Sequence, residues 1–315
     1  MTAQNSDTVP SSARSAASEA GFSGPNFFIV GAPKCGTTAW ATYLAGHPEI
    51  FAPSAKEPHY FNTDHHNYRW AKTRLAYLHY YKDYGGEKVA LDASVQYLCS
   101  VDAARNIAEF DPQARVLIML RKPSTFIRSY HNQLLMNFDE TIEDLPTAWS
   151  LSGQRPDSKI PPENREPSFL DYKRVGLFSE QVARYLEIFK RSQVMVVFME
   201  DWTQDPRTLY LQLMEVLGLE DDGRTEFPQV HAAKHVSNRT LHRLTQRPPS
   251  TLKTASRLLR RLPGMGAVKP ARVLRRLNSR KGYGSEVADA ALAKEIDAYF
   301  ENDQERLRAL LGNEQ

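Results

Sequence analysis

Residues 26–44, NFFIVGAPKCGTTAWATYL, join a continuous apolar run to a glycine-bounded loop and then to a helical pattern that ends near Gly46 and Pro48. Strand, loop and helix in this order form the setting in which backbone N–H groups and the positive end of a helix dipole converge on an anion. The loop GAPKCGTT (31–38) keeps the two glycines and the trailing hydroxyl of G-x-x-x-x-G-K-[ST] but has Thr37 where that pattern has lysine. Its only lysine, Lys34, lies inside the loop. The spacing predicts an anion-binding loop to which Thr37 and Thr38 add hydroxyl donors.

Three further β-rich runs, KVALD (88–92), RVLIML (115–120) and VMVVFM (194–199), recur between longer helical patterns. Apolar strands alternating with helices predict an α/β fold with a parallel sheet flanked by helices, in which ligands bind beyond the carboxyl ends of the strands. Residues 1–24, rich in Ser, Ala and Thr without periodicity, read as a disordered tail, and residues 25–315 as one domain whose fold starts near Asn26. Within it, the proline-rich, aperiodic stretch 139–170 reads as an insertion or lid, and the helical spacing of 292–312 closes the domain.

Composition narrows the class. With 41% hydrophobic and 24% charged residues the chain is globular, and no apolar run approaches the roughly 18 residues of a membrane span. The first residues lack the apolar stretch of a signal peptide, so a cytoplasmic protein is expected. Two cysteines, Cys35 and Cys99, make no disulfide framework and suggest no metal site. The net charge of +3 conceals a belt: residues 247–281 hold eleven Lys or Arg and no Asp or Glu. Its leucine and arginine spacing fits either two short amphipathic helices with a solvated basic face, broken at Pro263 and Gly264, or a surface that meets an anionic ligand, polymer or membrane.

A nucleoside triphosphatase wants a lysine at the end of the loop and an acid at a strand end to hold Mg²⁺. The lysine is missing; Asp92, at the end of VALD, keeps that reading open. The strand VLIML ends instead in Arg121, and Ser129 follows eight residues later through KPSTF. That spacing lets Arg121 and Ser129 converge on a second phosphate, which suits a nucleotide carrying two separate phosphate groups.

PKCGTT and RKPSTFIRSY resemble, in this order, the two cofactor motifs of sulfotransferases that use 3′-phosphoadenosine 5′-phosphosulfate, and the similarity runs from about Asn26 to the C-terminus. VVFMEDWTQDP followed by LMEVLGL is similar to a run common in bacterial members, and SRKGYG (279–284) to the basic-glycine loop that closes over the cofactor. The resemblance implies a P-loop-NTPase-like fold without nucleotide hydrolysis. Lys34, Cys35, Gly36, Thr37 and Thr38 then hold the 5′-phosphosulfate, Arg121 and Ser129 the 3′-phosphate, and Arg280, Lys281 and Gly282 the closing loop (247–284 with the basic segment). Breaking the bond between sulfur and the bridging oxygen puts negative charge on oxygens beside the loop, which Lys34 inside it can follow, so no metal is required.

The acceptor hydroxyl needs a base. KEPHYF (56–61) resembles the KE-x-H-F-F run of heparan sulfate O-sulfotransferases, which makes Glu57 the base and His59 its neighbour, with His131 an alternative. Where those enzymes have a lysine in EK-[ST]-P-x-Y, this chain reads LDASVQY with Ala93, which leaves recognition of a sulfated polysaccharide unsupported. The expectation is a bacterial sulfotransferase acting on a hydroxyl of a carbohydrate, lipid or small molecule, anionic or membrane-borne if the basic segment 247–284 serves it, with no nucleic-acid partner. A P-loop nucleotide kinase or NTPase and a non-catalytic nucleotide-binding protein are the rivals.

Overall fold

In the computed structural model, residues 22–229, 234–236, 279–281 and 286–312 are described. Five strands, β1 (Phe27–Gly31), β2 (Ile50–Phe51), β3 (Val89–Asp92), β4 (Arg115–Leu120) and β5 (Val194–Phe198), form one parallel sheet in the order β2-β3-β1-β4-β5. Every residue of β1 and β3 is buried, as the unbroken apolar runs require of strands covered on both faces. Since β1 is central and the chain travels from it first to one side and then to the other, the loop after β1 opens at the switch point, where open α/β sheets bind ligands. The parallel α/β sheet expected from the alternating pattern, and the P-loop-like arrangement implied by the resemblance, are what the fold has. The two-residue β2 has no sequence signal of its own.

The main helices are α1 (Thr37–Leu44), α2 (Ala103–Phe110), α3 (Pro123–Asn137), α4 (Phe178–Ile188), α5 (Pro206–Leu217), α6 (Glu286–Tyr299) and α7 (Glu301–Leu311). The closing pattern at 292–312 is thus two helices. The break falls at Phe300, whose fully buried ring packs against Trp149 and lies where a side chain on Gly176 would have to go. Packing there overrides continuous helical periodicity. The two helices then supply caps across the fold: Asp297 accepts from the backbone N–H (3.1 Å) and hydroxyl (3.0 Å) of Ser124 in the first turn of α3. Asp303 likewise accepts from the N–H groups of Phe178 (3.0 Å) and Ser179 (3.1 Å) at the start of α4.

The stretch 139–170 has one short α-helix, Leu145–Ser150, and two 3-10 turns, Asp157–Lys159 and Pro167–Leu170, and is tied at both ends. Glu140, with a fully covered carboxylate, takes two hydrogen bonds from Arg155 (2.9 and 2.6 Å), one from the Tyr172 hydroxyl (2.8 Å) and two from the amides of Thr141 and Ile142. Asp139 takes two from Arg165 (3.1 and 2.6 Å), while its carbonyl accepts from Asn164. Paired and hydrogen-bonded in this way, the buried charges hold the segment in one arrangement.

Residues 1–21 of the N-terminal tail lie outside the described residues; Phe22 already packs on Tyr81 and Tyr84. The basic belt from 247 to 278 and Gly282 also lie outside them. Residues Ser279–Lys281 form an antiparallel two-stranded ribbon with Lys234–Val236, pairing Arg280 with His235 and Lys281 with Lys234. Among the described residues no helix is long and apolar enough to cross a membrane.

Candidate functional site

At the end of β1 the backbone of Gly31 has φ +139°, and a Cβ there would stand 2.5 Å from the carbonyl oxygen of Val95. Gly36, at φ +87°, caps α1, and a side chain at that position would overlap the Trp202 ring. Both glycines are therefore dictated by backbone geometry and close approach. Neither an acidic residue nor a side-chain cap covers the first turn of α1, which leaves the positive end of its dipole without a carboxylate from that turn.

A cavity of about 960 Å³ lies against this loop. Lys34, Gly36, Thr37 and Thr38 line one end, with Arg121 and Ser129 beside them, and Glu57 faces the same space. The sheet thus brings together the loop after β1, the end of β4, the first half of α3 and the KEPHYF segment. Lys34 donates to Gln133 Oε1 (3.2 Å). Burial pushes its ammonium pKa down, and the nearby Arg121 guanidinium pushes it further.

Glu57 sits 3.4 Å from His59 Nε2 through Oε2 and 3.9 Å from Lys56 Nζ through Oε1. Burial alone would raise its carboxyl pKa; the His59 hydrogen bond and charge, with Lys56 and Lys34, outweigh that, and the net shift is downward. The carboxylate is therefore the standing form at neutral pH. His59 is 1% exposed, its ring edged by Tyr68 and Tyr97, and its Nδ1 has no hydrogen-bond partner. Lys34, Glu57 and His59 all have left-handed backbone, at φ +68°, +61° and +46°. Non-glycine residues hold such angles at a cost of about 1–3 kcal/mol each, and only where the surroundings over-determine them.

Asp92 provides those surroundings. Fully buried, it accepts from Ser94 Oγ (2.7 Å), Tyr77 (2.8 Å) and Tyr97 (3.0 Å). Ser94 Oγ in turn accepts from the His59 N–H (3.2 Å), and the Tyr97 hydroxyl from the Tyr60 N–H (2.9 Å). Asp92 is thus a buried anchor under the base segment and does not line the cavity, which removes it as a metal-holding acid. Ser94→Ala strips one donor from Asp92 and one acceptor from the His59 amide; a loss of about 1–3 kcal/mol in urea-unfolding stability is expected.

Two other sequence candidates have buried side chains. His131 is buried with Nε2 directed at the Ile142 carbonyl (2.8 Å), so helical packing turns it away from the cavity and it is not an alternative base. Cys35 is buried in the core, where its thiol pKa is pushed far up, and only its backbone can take part in the loop. Sequence reasoning also missed Gln133, Gln96, Arg165, Trp202 and Lys56. Gln133 was within reach of it, since it lies four residues after Ser129 on α3 and shares its face. Arg165 was not: it reaches the cavity by stacking on Tyr68, 4.7 Å from the ring centroid, from a proline-rich stretch.

A family model described as "Sulfotransferase domain" matches residues 24–256. Heparan sulfate glucosamine 3-O-sulfotransferase 3B1 of Mus musculus is 24% identical over 200 residues, covering 62% of this chain and 46% of that protein. Mouse bifunctional heparan sulfate N-deacetylase/N-sulfotransferase 3 is 25% identical over 219 residues, 22% of its own length. The chain spans less than half the length of these curated relatives. A sulfotransferase from Alicyclobacillus acidocaldarius of known structure superposes with a TM-score of 0.64 at 26% identity, covering 91% of this chain and 96% of the other. The phosphate-type loop after β1, the cation at the end of β4 and this match together lead to one conclusion: the chain belongs to the sulfotransferase domain family.

Proposed function

We propose that the protein moves a sulfuryl group from 3′-phosphoadenosine 5′-phosphosulfate to an acceptor hydroxyl. The observation that carries this reading is that the Lys34–Thr38 loop, Arg121, Ser129 and a carboxylate kept ionised by its neighbours line one cavity; we read the loop and the Arg121/Ser129 pair as two points that receive phosphate. Their fit to the donor is supported by the uncapped first turn of α1 and by Trp202, an aromatic wall of the cavity whose Nε1 has no partner among the described residues. When bound, the donor supplies the transferable sulfuryl group and a stable leaving nucleotide. Arg121 and Ser129 take the 3′-phosphate. Lys34 and the loop amides neutralise charge developing at the 5′ end.

Glu57 accepts the proton of the attacking hydroxyl, and the buried imidazole of His59 fixes its orientation. The acceptor belongs to the carbohydrate class by likeness to the heparan sulfate relatives. Ala93, buried below the cavity, offers no cation for a sulfated chain. The two unpaired cysteines, Cys35 and Cys99, fit a reducing, cytoplasmic setting, and the Alicyclobacillus likeness a bacterial one. Nothing favours the kinase reading, since Asp92 spends its oxygens on Ser94, Tyr77 and Tyr97.

Calorimetry with the desulfated nucleotide, 3′,5′-adenosine bisphosphate, tests the proposal. It should bind in the absence of metal and more tightly than AMP; tighter binding of Mg-ATP than of the bisphosphate overturns the reading.

A further inference from the structure

The loop after β1 gives up the lysine that its pattern places beside the trailing hydroxyl, and Thr37 stands there instead. A different segment brings a lysine to the same spot. Lys56, the residue before Glu57, folds back so that Nζ donates to Thr38 Oγ1 at 3.0 Å, with two-thirds of its side chain covered. Its other neighbour, the Glu57 carboxylate, is 3.9 Å away and closer to His59 at 3.4 Å. An ion pair of that length does not account for the placement. Nor does the helix: Lys56 sits at the N-terminal end of α1, the positive end of its dipole, where no acidic residue of the first turn offsets a cation. Burial also pushes its pKa down. A long side chain that could extend into water is instead held against the Thr38 hydroxyl at the start of α1, with only the loosely placed Glu57 carboxylate to balance its charge.

We propose that Lys56 is the second cation of the donor site, contacting the 5′-phosphosulfate end of the nucleotide at Thr38 in place of the lysine the loop lacks. The inference rests on the sulfotransferase reading above and deepens it. Lys34 serves that end from within the loop, and Lys56 reaches it through the Thr38 hydroxyl. Because Lys56 and Glu57 are consecutive, the segment that delivers the cation to the donor also delivers the base to the acceptor, so their separation is set by one peptide unit.

The test is equilibrium binding of three nucleotides to the full chain: 3′,5′-adenosine bisphosphate, AMP and adenosine 3′-monophosphate. Lys56→Ala should weaken the bisphosphate and AMP by about ten- to a hundredfold, the range for a lost charged hydrogen bond, and leave the 3′-monophosphate unchanged. Lys56→Arg should recover most of the loss. Unchanged bisphosphate affinity in Lys56→Ala overturns the inference, and so does an equal loss for all three nucleotides, which marks a structural role. Wild-type protein that fails to bind the bisphosphate overturns the functional reading itself, and the inference with it.

Discussion

Glutamine in place of Glu57 is expected to slow sulfuryl transfer by about two to four orders of magnitude while leaving bisphosphate affinity close to that of the wild type. The substitution keeps the shape of the side chain and a hydrogen-bond acceptor toward His59, and removes only the capacity to take a proton. The pH profile gives an independent reading. A base works deprotonated, and the pKa of Glu57 is lowered from 4.5 because His59, Lys56 and Lys34 outweigh its burial. The acid limb of wild-type kcat/KM therefore lies below that value, with activity lost as the pH falls through the lowered pKa. In the glutamine variant this limb should vanish along with the rate. Retained activity would pass the role to His59, whose Nε2 lies nearest to the Glu57 carboxylate.

Arg121→Ala should lower affinity for 3′,5′-adenosine bisphosphate by about 2–4 kcal/mol and leave AMP, which lacks the 3′-phosphate, nearly unaffected. Arg121 follows β4 and lines the cavity. Calorimetry on the two nucleotides separates the effects: a comparable loss for AMP would place Arg121 at the 5′ end and overturn the two-point description of the donor site.

Much of this was legible in the sequence because it is local. The four apolar runs are strands within a residue of the expected bounds; in β1, β3 and β4 continuous burial writes itself as continuous hydrophobicity, and the edge strand β5 keeps the apolar run although it is largely half-buried. Lys34, Thr37, Thr38, Arg121, Ser129 and Glu57 share one cavity because each follows directly from a strand end, a helix start or a short motif. What escaped depends on partners far apart in the chain. Nothing near His59 announces that its amide will find Ser94, 35 residues on, or that Asp92 will be consumed by two tyrosines beneath it. His131 looked as available as Ser129 until the carbonyl of Ile142 occupied it. The break at Phe300 likewise follows from Trp149 and Gly176, not from the helix that contains it.

The cap that Asp297 places on α3 sets the order in which the protein can mature. Ser124 and Asp297 are 173 residues apart, so during synthesis the helix bearing Ser129 and Gln133 emerges long before the carboxylate that finishes its first turn. Until then its N–H groups have only water, and the nascent sheet can assemble with the donor side incomplete. A chain cut before α6 lacks the carboxylate that meets the Ser124 N–H and hydroxyl. The first turn of α3 is therefore finished by a residue made 173 positions later.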